Sequence, residues 1–214
     1  MGADWQAYQL LPWIVAVALA SVPAWLDLVY REVPESFWVT GSKVGLVVSL
    51  LTYLKAYPLR LLAVFYGLSL AGAGIVGAAS LLGLMGEGDF WASLALAVTI
   101  PAPPPGSVIP PVYLVLFFAS IGELVARAFI SWRVCGSISC LMGAEVACDS
   151  LISRLRWWFP IGSDVKSAIP SEASVRACQG GRSKVTAEPG LPYVAFILLA
   201  LPVALALELA IRVA

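Results

Sequence analysis

The sequence predicts an all-α polytopic membrane protein, with six transmembrane helices and a small cytoplasmic insertion between the fifth and sixth. Three observations predict it. Of 214 residues, 60% are hydrophobic and only 12% charged, whereas about 25% of the residues in a soluble domain carry charge. Mean hydropathy is +0.90. Apolar runs close to 20 residues long recur along the chain, the length needed to cross a hydrocarbon core of about 30 Å. The same composition excludes disorder, because apolar surface is plentiful. Lys+Arg and Asp+Glu balance at 13 each, so no basic footprint for nucleic acid exists; the lipid bilayer is the implied partner.

The first run, 10–30, follows MGADWQAY, which holds Asp4 and no Lys or Arg. Without a positive n-region it reads as a retained helix, not a cleaved signal. The second, 38–54, has Lys43 near one end, where it can snorkel. The third, 61–85, contains GLSLAGAGIVGAAS, small residues that let helices approach closely in lipid. The fourth, 90–109, is interrupted by PAPPPG at 101–106. From Asp89 to Pro101 a helix spans only about 18 Å. Either the prolines sit inside the bilayer or Asp89 is recessed below its surface, beside a water-accessible cavity. The fifth and sixth runs are 112–130 and 191–211. Residues 1–130 therefore form the first five helices, 131–190 a polar insertion and 191–214 the last helix.

Charge orients the bundle. The 131–190 segment holds Arg133, Arg154, Arg156, Lys166, Arg176, Arg182 and Lys184, and Arg31 joins the same side. Only Lys55, Arg60 and Arg212 lie opposite. The positive-inside rule places the insertion in the cytoplasm and both termini outside. Asp27 and Asp89 then fall on the cytoplasmic side. Within the insertion, 151–156 followed by Trp157, Trp158 and Phe159 reads as a short interfacial run, and 160–190 reads as loop.

No His is present, which removes Ser-His-Asp, Cys-His and HExxH chemistry. Cys135, Cys140, Cys148 and Cys178 lack the C-x2-C pairs of a zinc site; they read as half-buried thiols, and no metal or other cofactor is expected. Chemistry is left to acids, and acids in membrane spans default to function. Glu123 and Glu208 each have an Arg four residues on, Arg127 and Arg212. That is the favourable order for a helical ion pair, so both read as structural. Asp27 has only Arg31 at i+4. Asp89 has no base nearby and stands in Gly86-Glu87-Gly88-Asp89, where two glycines clear the approach to a carboxylate. Its alternative reading is an N-terminal helix cap. Two close aspartates sharing a proton can activate water against a peptide carbonyl without His or metal.

Asp27-Leu28-Val29-Tyr30-Arg31-Glu32-Val33-Pro34 and Gly86-Glu87-Gly88-Asp89 resemble two motifs of the type IV prepilin peptidases, particularly the archaeal preflagellin/prepilin peptidases. These are D-x-x-x-R-x-[IV]-P closing the first helix and GxGD opening the fourth. Leu191-Pro192-Tyr193 is similar to the family's Pro-aromatic element at the last helix. The resemblance implies an aspartic endopeptidase with Asp27 and Asp89 catalytic. Gly86 and Gly88 would admit the substrate backbone, and Arg31 would hold the Asp27 loop or meet acidic substrate groups. It implies cleavage of class III signal peptides from prepilin- or prearchaellin-like precursors at the cytoplasmic face. Glu35 stands where the family usually has Asn or Asp, and the CxxC pairs of bacterial members are missing, so their zinc does not carry over. The competing reading is a small proton-coupled transporter using Asp27 and Asp89 as relay acids, although the paired broken helices of carriers are not visible.

Overall fold

The structure, a computed structural model, describes residues 3–29, 33–82, 85–103, 107–135, 144–147, 184–187 and 193–213. Arg31, the 151–156 run, Cys140, Cys148, Cys178 and the side chain of Arg212 lie outside the described residues.

Six helices appear among them: α1 (Ala3–Val29), α2 (Glu35–Tyr53), α3 (Leu59–Leu81), α4 (Glu87–Thr99), α5 (Pro111–Cys135) and α6 (Tyr193–Val213). Four contain stretches long and apolar enough to cross a membrane: Leu10–Leu28, Leu59–Leu81, Pro111–Phe129 and Tyr193–Ala210. The other two do not reach that measure. α2 carries Glu35, Lys43 and five Ser or Thr residues, and α4 has only 13 residues. A span over 90–109 is thus replaced by a helix ending at Thr99. The physical reason is Pro101: a residue preceding proline is pushed out of the α region, and Ile100 sits at φ −124°, ψ 58°.

α4 is the central helix. Ala92, Ser93, Ala95, Leu96, Ala97 and Thr99 are all buried, and α1, α2, α3, α5 and α6 all pack on it. α5 pairs with α6, and α6 with α1. The outward faces are apolar: Ile14 is 63% exposed and Leu199 67%, as expected of helices whose solvent is lipid.

Close approach depends on small residues. A Cβ on Gly45 would collide with Thr99 Oγ1, and one on Gly77 would lie 2.8 Å from the Phe90 ring. Gly67 and Gly74, both exposed, would meet nothing within 4 Å, so only part of the glycine-rich sequence serves packing.

Beyond α4 the proline segment is bracketed by hydroxyls. Ser69 Oγ donates to Pro101 O at 2.8 Å, and the Tyr57 hydroxyl donates to Pro103 O. Proline lacks an N–H but keeps its carbonyl, and these carbonyls are the groups gripped. Ser49 and Tyr66 share a 2.7 Å hydrogen bond nearby, tying α2 to α3.

Two short strands, β1 (Ala144–Ala147) and β2 (Lys184–Ala187), pair antiparallel with Ala144 opposite Ala187 and Ala147 opposite Lys184. The expectation of loop across 160–190 is corrected at 184–187.

Candidate active site

The glycine-rich turn before α4 builds the site from its backbone outward. Gly86 is the N-cap, in extended conformation at φ −76°, ψ 153°. Its N–H donates to Asp89 Oδ2 at 3.0 Å, and the Asp89 N–H donates back to Gly86 O at 3.1 Å. Asp89 is thus held across the first turn of α4, where the helix's N-terminal N–H groups favour an acid. One turn on, the buried Ser93 hydroxyl donates to Asp89 O at 2.7 Å. The capping reading and the catalytic reading are both compatible with this geometry, because only one carboxylate oxygen is engaged by Gly86.

The two glycines differ. A Cβ on Gly86 would lie 3.4 Å from Asp89 Oδ2, whereas one on Gly88 would meet nothing within 4 Å. The space beside Gly88 is open, and Asp89 itself is half-buried.

Asp27 occupies the last turn of α1 and is half-buried too. The fold brings it to the Asp89 end of the bundle, where its charge acts on Asp89. Asp89 precedes the apolar run of α4 and lies outside the four long apolar stretches. Burial is the main reason its pKa rises, to about 6; the Gly86 N–H pulls it down, and the charges of Asp27 and then Glu123 push it up. An ionised carboxylate loses hydration on burial, and a like charge disfavours it further.

Glu123 is paired as the spacing predicts. Arg127 Nη2 and Nε both donate to its Oε1, at 2.7 and 2.9 Å. What the spacing did not reveal is that this α5 pair lies close enough to Asp89 for the Glu123 charge to be felt there. Tyr193, opening α6, belongs to the same neighbourhood: the charges of Asp89 and Glu123 both reach its hydroxyl. That hydroxyl shares a 3.1 Å hydrogen bond with Ser120 Oγ and lies 3.4 Å from Leu116 O. The Pro-aromatic element was visible in the sequence, but its partner on α5 was not.

Glu208 is 1% exposed, and among the described residues neither of its carboxylate oxygens has a hydrogen-bond partner. The anticipated pairing with Arg212 falls on a side chain outside the described residues.

A family model described as the type IV leader peptidase family matches residues 13–127, from the middle of α1 to Arg127. Among curated proteins and solved structures nothing matches the chain.

Proposed function

This chain belongs to the type IV leader peptidase family, and on that premise we propose that it is an aspartic endopeptidase removing class III signal peptides from prepilin- or prearchaellin-like precursors. Its four long apolar helices and its family make it a multi-pass membrane protein. The observation that carries the aspartic reading is the company of Asp89. It is an acid raised to about 6 by burial, with the Asp27 charge acting on it and open space at Gly88 beside it.

Asp27 and Asp89 share one proton in the resting enzyme, since two close carboxylates do not both ionise cheaply. The ionised partner takes a proton from a water molecule, whose oxygen attacks the scissile carbonyl carbon. The protonated partner delivers its proton to the carbonyl oxygen, giving a tetrahedral gem-diol. Return of one proton to the amide nitrogen breaks the C–N bond and releases the mature subunit's amine and the leader's carboxyl group. The protons belong to the pair, so apparent pKa values describe the dyad.

Gly86 and Gly88 admit the substrate backbone in this reading, and Arg31 steadies the Asp27 loop or meets an acid on the precursor. α2 and α4, shorter or more polar than the rest, complete a six-span bundle in this reading, with α4 at its centre and α2 on its periphery. The excess of Lys and Arg in 131–190 puts the acid end in the cytoplasm.

The test is co-expression with an epitope-tagged prepilin-like precursor, scored by the gel shift of cleavage. Asp27→Asn and Asp89→Asn should each abolish the shift while the protein remains inserted. Normal processing by either variant refutes the dyad.

A further inference from the structure

α2 changes character along its outward face. In its second half the exposed side chains are apolar: Val44, Val47, Leu51 and Leu54, the last at its C-cap. Nearer the acid end, Ser36, Thr40 and Lys43 are exposed instead, and spacings of four and three place them on one stripe. Glu35 is exposed too, about a quarter-turn away from Ser36. α1 and α3 show no such change. Trp25 and Leu28 on α1, and Leu81 and Leu82 at the end of α3, keep those outward faces apolar to the acid end. The stripe on α2 is therefore a polar notch in an apolar girdle.

The notch is deep. Lys43 is the ninth of the 19 residues of α2, not close to an end as the apolar run 38–54 suggested, because the helix begins at Glu35. Gly45 meets Thr99, and Tyr53 clusters with Ala102, so α2 and α4 run side by side away from the acid end. Helix rise then sets the Lys43 backbone about 12 Å below Asp89. Among the described residues no ion pair or hydrogen bond engages its ammonium. A cation at such a depth is expensive in hydrocarbon and marks a functional site by default. Helical side chains lean toward the N-terminus, so the Lys43 stem climbs the stripe toward Thr40. One ammonium and two hydroxyls make a column of donors that complements a phosphate. A second copy does not satisfy it. A two-fold axis along the membrane normal that joined two α2 stripes would set Lys43 against Lys43.

We propose that Ser36, Thr40 and Lys43 bind the phosphate headgroup of an anionic phospholipid, drawn down the outer face of α2 below the surrounding headgroups. The inference rests on the six-span reading, in which α2 crosses the bilayer, and not on the peptidase chemistry. The lipid's chains then lie along Val47 and Leu51. α2 packs on both α1 and α4, the helices that carry Asp27 and Asp89. The bilayer is thus thinned beside the two aspartates, which shortens the path of water to them.

The experiment reads the lipid beside α2 itself. In a variant whose four Cys are replaced by Ser, Val47→Cys is labelled with bimane. The protein is reconstituted in mixtures of phosphatidylcholine and phosphatidylglycerol, one of them brominated in its chains. Quenching gives the relative affinity of the two lipids at that spot, and Ile75→Cys on α3 is the reference. Phosphatidylglycerol should be preferred about fivefold at position 47, the effect of one Lys near an anionic headgroup, and about equally with phosphatidylcholine at position 75. Lys43→Gln should remove the preference at 47. Equal affinities with Lys43 in place, or a preference that survives Lys43→Gln, overturn the site. Equal affinities with disulfide-linked Thr40→Cys dimers assign the stripe to a second copy; with protection of Thr40→Cys by a co-reconstituted prepilin-like precursor, they assign it to a protein helix. A second measurement does not depend on a Lys43 variant folding. A membrane-impermeant maleimide should label Thr40→Cys and spare Val47→Cys. Labelling of both places α2 outside the bilayer and overturns the six-span reading together with the site. Labelling of neither shows a dry stripe and overturns the site alone.

Discussion

Gly88→Ala separates the resting protein from the substrate complex more cleanly than any other change at the acid end. Gly88 is the second residue of α4, in helical conformation, and a Cβ there would touch nothing within 4 Å. Alanine is favoured over glycine in a helix by up to about 1 kcal/mol, partly because the unfolded chain loses freedom. For a chain of this length that corresponds to a rise in Tm of about 2–4 °C. A methyl in that open space would instead stand where the precursor backbone must pass, so kcat/KM should fall at least tenfold. The two readouts move in opposite directions. Tm is followed in detergent by the fluorescence of the eight tryptophans, and cleavage by the gel-shift time course at subsaturating precursor. A fall in Tm would show that position 88 is not open. Unchanged kcat/KM would show that nothing passes it. Either result refutes the reasoning.

Asp89→Asn should also stabilise the protein at neutral pH. Its folded pKa, about 6, stands above the ordinary 3.8, so its favourable contribution is complete below about pH 4 and lost as pH rises through 6. The variant's advantage, at most about 3 kcal/mol, should appear in thermal melts at pH 8 and vanish at pH 4; an equal gap at both pH values contradicts it. Glu123→Gln should keep cleavage within a few-fold, since a partly exposed ion pair contributes about 0–1 kcal/mol. It should move the alkaline limb of the pH–rate profile downward by less than about one unit, because one charge repelling the proton-holding Asp89 is gone; an upward move would contradict the placement of Glu123. Glu208→Met should raise Tm, because a buried carboxyl with no hydrogen-bond partner among the described residues costs about 1–3 kcal/mol, with cleavage unchanged; a lower Tm would show that the carboxyl has a partner, and loss of cleavage would give it a role at the site. Simultaneous replacement of Cys135, Cys140, Cys148 and Cys178 by Ser, or treatment with EDTA, should leave the rate within a few-fold; complete loss in both would reveal a structural metal in 131–190.

Local chemistry made much of the site legible before any coordinates. Asp89 stood out because no base lies near it in sequence, and the Glu123–Arg127 pair because i,i+4 acid–base spacing acts within a single helix. Termination of α4 followed from the prolines, but the apolar tail 100–109 disguised how early the helix stops. Composition alone does not distinguish a span from an extended apolar segment. The Tyr193–Ser120 contact joins residues 73 apart, and no local pattern encodes such a meeting. The same holds for β1 and β2, four residues each and separated by a long connection. Strand signals that short are weak, because pairing depends on a partner elsewhere.

The hydroxyl grip on the proline carbonyls gives α4 the mechanics of a strut fixed at one end. Its foot is clamped where Ser69 and Tyr57 hold Pro101 and Pro103, and its opposite end carries Asp89. The height of the acid is therefore measured from the far side of the bundle, at about 18 Å, and not from the surface where a leader peptide arrives. One residue inserted into the strut would lift the carboxylate about 1.5 Å and swing it about 100° around the helix axis. On the proposed reading, a thicker bilayer anchored at the same foot would leave the acid deeper beneath the near headgroups, and lipid chain length would then set how far a precursor must reach to be cut.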